Sequence, residues 1–221
     1  MTTSFTRALD RAAAIALGTV GTLAVGFAGF VLPARAHHPT GGDLPATFLQ
    51  GLLSGLGHPV IGLDHLAFAL ALGVLAAFCH KGMGTIAAFL GTSLLGTVLH
   101  LHAIDLPGVE MAIAGSTLMF GVLVLFRRAR TPVIAVIAAV AGLFHGYAYG
   151  ESIIGAEPTP LVAYLIGFTA IQAALSLGAM KYALALGELR VDETAKFPMT
   201  VAMGGVIVGI GFTFFAQSLG I

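Results

Sequence analysis

Marked for hydrophobic and polar positions, the chain is a series of long apolar runs joined by short polar connections. Seven runs stand out, near 12–32, 47–79, 84–103, 107–127, 132–149, 160–187 and 198–219. A bilayer core about 30 Å thick needs roughly 20 apolar residues for each spanning helix, and each run meets or approaches that length. The pattern predicts an all-α, polytopic membrane protein, one compact helical domain with no soluble lobe. Composition agrees: 57% of the 221 residues are hydrophobic and 9% are charged, which excludes an ordinary soluble domain and a basic nucleic-acid-binding surface. Thirty glycines, many inside the runs as in GTSLLGTVLH and GGVIVGIGF, predict helices packed closely through small residues.

The first run differs from the others. Arg7 and Arg11 precede it, and LPARA follows, whose Ala34-Arg35-Ala36 has the small-x-small form of a signal-peptidase site. The expected division is therefore a signal peptide over 1–36 and a six-helix transmembrane domain over 37–221; an uncleaved anchor helix is the other reading of a run this long. Lys81, Arg127, Arg128, Arg130, Lys181, Arg190 and Lys196 fall in alternate connections. The regions 37–46, 104–107 and 150–159 hold neither Lys nor Arg. The positive-inside rule then places the mature N- and C-termini outside, in the periplasm of a bacterial inner membrane. The single cysteine, Cys79, allows no intrachain disulfide.

That topology sorts the ionisable residues. His37, His38, His58, His65, His100, His102 and His145 all fall in the outer half or at the outer face, and His80 falls inside. Asp43, Asp64, Asp105, Glu110, Glu151 and Glu157 join the outer set. Imidazoles and carboxylates with almost no cation to pair with are what a divalent metal would neutralise. The centre of the set is GHPVIGLDHLAF, where Gly55, Gly57, Pro59 and Gly62 predict a break in a segment too long for one span. A discontinuous helix is a recurring way to build an intramembrane ion site. On a continuous helix His58 and His65 would lie within about 20° of each other, so either geometry lets them converge. Asp64 is then a further ligand or the group that fixes a histidine tautomer. Each of these groups is costly in lipid unless paired or hydrated, which favours a functional site.

The remaining candidates carry less. His100 and His102 point to nearly opposite helix faces. Glu110 sits in a first helical turn after Pro107, where the helix dipole favours a carboxylate in any case. Glu151 follows His145 in HGYAYGES and reaches it if a loop begins at Gly150. Gln172 and Ser176, one turn apart, could line a polar path or bond neighbouring helices. Cys79 and His80 read either as an inner exit site or as a helix end. A processed terminus would give His37 a free amine beside its own imidazole, with His38 next, as a capture site for metal.

HPVIGLDH, with LPGVEMAIAGS, HGYAYGE and YLIGF, resembles the HupE/UreJ family of small bacterial membrane proteins, regarded as nickel or cobalt permeases accessory to hydrogenase and urease. The likeness spans most of the chain after the leader. It implies that His58, Asp64 and His65 handle the metal centrally, with Glu110, His145 and Glu151 matching the later motifs. Two positions depart from the family pattern: Tyr149 stands at the second histidine of His-Gly-x-x-His, and Leu175-Ser176 stands where Leu-His is common. The expected function is uptake of a divalent transition metal, nickel or cobalt, from periplasm to cytoplasm, with no tightly bound cofactor and no enzymatic activity. The expected partners are the bilayer, the metal ion and a metalloenzyme maturation system; no nucleic acid is expected. No phosphate-binding glycine loop is present, so a gradient, the membrane potential or a partner must supply energy. The potential alone offers a divalent ion about 4.6 kcal/mol per 100 mV. The alternative is a non-transporting accessory subunit that holds metal or a partner enzyme, with Phe212, Phe214 and Phe215 as a docking face.

Overall fold

The computed structural model describes residues 44–126, 131–188 and 193–221, and the side chains among these outside 186–201. The expectations for the leader over 1–36, for His37, His38 and Asp43, and for Arg127, Arg128, Arg130 and Arg190 lie outside the described residues. The described chain is all helical: α1 Phe48–Ile61, α2 Leu63–Ala77, α3 Gly82–Leu101, α4 Val109–Phe126, α5 Thr131–Glu151, α6 Pro158–Glu188 and α7 Glu193–Ser218. Helices α3, α4, α5 and α6 are each long and apolar enough to cross a membrane, and α1 with α2 counts as a fifth span if the bent pair is one. Within α7 the apolar stretch Ala202–Ser218 is shorter, so the sixth expected span rests on that helix.

Helix α1 opens on a capping box: Gln50 N donates to Thr47 Oγ1 at 3.2 Å, and Thr47 N donates to Gln50 Oε1 at 3.1 Å. It stops where the glycine and proline cluster predicts. Pro59 has no N–H for the helical ladder, and Gly62, extended at φ −71° and ψ 100°, both ends α1 and opens α2. The two helices meet at a bend of 78°. The break is pinned on both sides, since Gly62 N donates to His58 O at 3.0 Å and Leu66 N donates to Gly62 O at 2.9 Å.

Helix α2 is the axis of the fold and touches each of the other six helices. Phe68, Leu72 and Leu75 on it are fully buried against Phe89 of α3, Phe120 and Val124 of α4, and Ile134 and Ala138 of α5. Glycines set the close approaches elsewhere. A Cβ added at Gly146 of α5 would lie 1.8 Å from Ser93 O, and one at Gly96 of α3 would lie 2.0 Å from Leu143 O. Helix α6 lies against both halves of the broken segment: Gly51 and Gly55 of α1 meet the Pro160 and Tyr164 carbonyls, and Gly73 of α2 meets the Ser176 carbonyl. Among the described glycines, more than half are thus packing positions, as the sequence predicts.

Candidate metal centre

Three imidazoles gather at the break. His58 ends α1, His65 lies in the first turn of α2, and His145 comes from α5; all three are buried. The ring centres of His58 and His65 are 5.7 Å apart, and those of His65 and His145 are 4.9 Å apart. Tyr149, one turn beyond His145, packs against both rings of the break, 5.0 Å from His58 and 4.6 Å from His65. The position where the resemblance implies a second histidine is thus an aromatic ring packed on both imidazoles. On the opposite side Phe68 stacks on His145 with centres 4.4 Å apart and continues into Phe120 and Phe89 at 4.6 and 5.1 Å. The cluster therefore stands on an apolar floor.

Proton bookkeeping assigns the tautomers. Ser116 spends its only proton on Ile113 O at 2.8 Å, so its oxygen accepts from His145 Nε2 at 3.1 Å. His145 then presents Nδ1 as an acceptor, and His65 Nδ1 donates to it at 2.7 Å. The basic nitrogen of His65 is consequently Nε2. A parallel chain orders His58. Tyr164 donates to Tyr149 O, a carbonyl of the last turn of α5, at 2.8 Å, so Tyr164 can only accept from His58 Nδ1 at 3.0 Å. Ser152 Oγ lies 2.8 Å from that same nitrogen, and Nε2 is again the basic position. Both chains end on a backbone carbonyl, the arrangement by which proteins hold a ligating histidine in one tautomer.

Asp64 is half-buried, and its Oδ1 accepts from His65 N at 2.9 Å. That bond satisfies a first-turn amide of α2 and turns one carboxylate oxygen toward the start of the helix. Thr117 Oγ1 of α4 lies 3.2 Å from Asp64 O and shares its one proton between that carbonyl and Ile113 O at 3.0 Å. Gly62 is required by proximity: a Cβ there would lie 2.7 Å from His65 Cδ2 and 3.4 Å from Asp64 Oδ1. Among the described residues, no three His, Cys, Asp or Glu side chains are gathered closely enough to hold a metal ion as they stand.

The other candidates are placed as follows. Glu110 is exposed in the first turn of α4, and Glu151 is exposed at the end of α5. No loop begins at Gly150: α5 runs through Glu151, which stands six helical steps, about 9 Å of rise, beyond His145 and does not fold back. His100 packs edge-on against Tyr147 with ring centres 4.2 Å apart, while exposed His102 bonds Val98 O through Nδ1 at 2.8 Å. The two do diverge, as their spacing predicts. Tyr147 donates to Asp105 at 3.3 Å. Gln172 and Ser176 are fully buried, and Ser176 donates to Ala69 O of α2 at 3.1 Å. At the other end His80 is exposed and its N–H donates to Thr131 Oγ1 at 3.1 Å. Burial pushes the neighbouring Cys79 thiol up, with a hydrogen bond from Thr131 acting the other way. Cys79 and His80 thus tie the α2–α3 turn to the start of α5. Phe212 is exposed, while Phe214 and Phe215 are half-buried.

Sequence reasoning missed Ser116, Ser152 and Tyr164. They lie 29, 94 and 106 residues from the histidines they hold. Their one signal was position, Ser152 directly after HGYAYGE and Tyr164 in YLIGF.

A bundle of apolar helices with one broken segment and imidazoles buried at the break defines a polytopic helical membrane protein with an internal polar centre. The chain belongs to the HupE/UreJ family, whose model, described as HupE / UreJ protein, matches residues 13–214. It is 34% identical over 183 residues to Protein HupE of Rhizobium leguminosarum bv. viciae, covering 81% of this chain and 90% of that relative. No solved structure matches the chain.

Proposed function

We propose that the protein is a divalent transition-metal permease of the bacterial inner membrane. It moves nickel or cobalt from periplasm to cytoplasm and has no catalytic role. The observation that carries this reading is the pair of tautomer-locked imidazoles on either side of the helix break. An ion bound about 2.1 Å from an imidazole nitrogen stands about 3.2 Å from the ring centre, so two rings sharing one ion have centres about 4.5–6 Å apart. His58 and His65 are 5.7 Å apart. In the neutral form of each ring, donation from Nδ1 leaves Nε2 as the basic nitrogen.

In this reading His58 and His65 are the nitrogen ligands and Asp64 supplies charge. Unwound backbone or water oxygens complete the shell, as carbonyls do at other discontinuous membrane helices. His145 holds His65 in place, and Ser116 holds His145. Glu110, Glu151, His100 and His102 line the outer approach, and His37 and His38 deliver metal to it when the leader over 1–36 is removed. The mature termini face the periplasm, and the delivered metal feeds a metalloenzyme maturation system. Phe68, Phe89 and Phe120 close the inner side, so passage requires that floor to part. Imidazole and carboxylate bind nickel and cobalt well, and supply decides between metals of similar affinity.

Radiolabelled nickel uptake into proteoliposomes tests the proposal. Saturable uptake that responds to an imposed inside-negative potential is the expected result. Nickel binding without uptake would leave the protein a non-transporting accessory subunit.

A further inference from the structure

Helix α6 carries a second polar feature at the level of the break. Its Tyr164 and Phe168 backbones lie against Gly55 of α1, and Ser176 lies against Ala69 and Gly73 of α2. The stretch between Phe168 and Ser176 therefore spans the interruption between the two half-helices. Two oxygens in that stretch are buried without a hydrogen-bond partner: Gln172 Oε1 and Thr169 Oγ1. Gln172 is fully buried, and its Nε2 donates to Phe168 O at 3.2 Å. The reversed amide would set two carbonyl oxygens against each other, so the partnerless atom is an acceptor.

Thr169 departs from the habit of this fold. Thr85, Thr92, Thr97, Thr117 and Thr213 each hold the hydroxyl within hydrogen-bond distance of the carbonyl one turn back, at 3.4, 3.0, 3.2, 3.0 and 2.9 Å, and Thr97 and Thr117 also reach Gly146 O at 2.7 Å and Asp64 O at 3.2 Å. Thr169, also inside a helix, does not. Threonine inside a helix ordinarily satisfies its hydroxyl in that way. Two buried oxygens three residues apart on one helix face, both left without partners and both beside the broken segment, make an acceptor pair for something that enters from outside the fold.

We infer that Gln172 Oε1, with Thr169 Oγ1 beside it, takes the water shell of a partly hydrated divalent cation at the helix break. The inference rests on the permease reading and deepens it, because it makes α6 the oxygen side of a site whose nitrogen side is His58 and His65. An ion that keeps part of its water needs acceptors for those water protons, and two partnerless oxygens supply them. Such a pair favours hydrated divalent ions over copper(I), which prefers soft ligands and sheds water.

The test compares stability with uptake in the full-length chain, using nickel chloride alone as the probe. Gln172→Leu removes the buried acceptor and nearly keeps the volume. It should melt at or above the wild-type temperature, while the nickel concentration for half-maximal uptake rises about tenfold. Gln172→Glu, which keeps an acceptor, should retain near-wild-type half-saturation, and Thr169→Val should raise it about threefold. Should Gln172→Leu not insert, Gln172→Met carries the same comparison. If Gln172→Leu or Gln172→Met transports with wild-type half-saturation, or if both lose the folded protein, Gln172 is a packing residue and the inference falls alone. A wild-type protein that takes up no nickel overturns the permease reading, and this inference with it.

Discussion

Adding a single methyl group at the break tests how closely the site is positioned. Gly62 adopts φ −71° and ψ 100°, a conformation open to any residue, so alanine meets no backbone penalty. Its Cβ, however, would lie 2.7 Å from His65 Cδ2, the ring carbon bonded to Nε2. Ordinary contact begins near 3.4 Å, so the ring must yield by about 0.7 Å. It has little room to do so, because Nδ1 is held 2.7 Å from His145 and the face packs on Tyr149 with centres 4.6 Å apart. Overpacking of this kind costs about 1–3 kcal/mol, and reduced freedom of the unfolded chain returns about 0.4–1 kcal/mol. Gly62→Ala should therefore lose ~1–2 kcal/mol and still fold and insert. Metal binding should suffer more visibly, since misorienting a ligating histidine costs about 10–100-fold in affinity. Circular-dichroism melting and the nickel dependence of proteoliposome uptake read the two effects separately. Gly91→Ala, where an added Cβ meets nothing within 4 Å, is the silent control. Wild-type half-saturation in Gly62→Ala would refute the claim that His65 Nε2 is a positioned ligand.

Three further outcomes are expected. His58→Ala, Asp64→Ala and His65→Ala should each abolish nickel uptake while the protein remains inserted, as scored by fractionation and gel filtration; undiminished uptake in all three sinks the proposed centre. Ser116→Ala leaves the buried His145 Nε2–H without its acceptor, which should cost about 1–3 kcal/mol of stability and weaken nickel binding about 10–100-fold in titration calorimetry; an unchanged affinity would mean that His145 does not set the tautomer of His65. Binding to neutral imidazoles competes with protons, so affinity should fall as the medium is acidified below neutral pH. Affinity constant from pH 5 to 8 would point to carboxylates or carbonyls alone.

Most of the architecture was legible because bilayer thickness and apolar run length are tightly linked, and the break was legible because glycine and proline, both weak helix formers, cluster over 55–62. His58, Asp64 and His65 stood out for a related reason, since three ionisable groups within eight residues of an apolar run have few structural uses. His145 was harder. It lies 80 residues from its partner His65, and family likeness, not spacing, brought it into the site. Its role also differs from a simple ligand: the hydroxyl of Ser116 and the two facing Nδ1 atoms make it a holder of His65. Ser116, Ser152 and Tyr164 are ordinary residues in a helical sequence, and they become tautomer-setting groups only through packing among α1, α4, α5 and α6. Tyr149 is read in sequence as the loss of an imidazole, yet its ring packs against both His58 and His65. Glu151 illustrates the reverse error. A glycine before it looked like a helix end, but Gly150 is buried against the His100 ring and the helix continues past it.

The location of the metal tests the central claim most directly. Crystals of the full-length protein soaked in nickel chloride, measured on both sides of the nickel absorption edge, should show an anomalous peak about 2.0–2.2 Å from Nε2 of both His58 and His65. His145 should remain bonded to Ser116. A peak confined to exposed groups such as His102, Asp105 or Glu151, with His58 and His65 unchanged, would contradict the proposed centre.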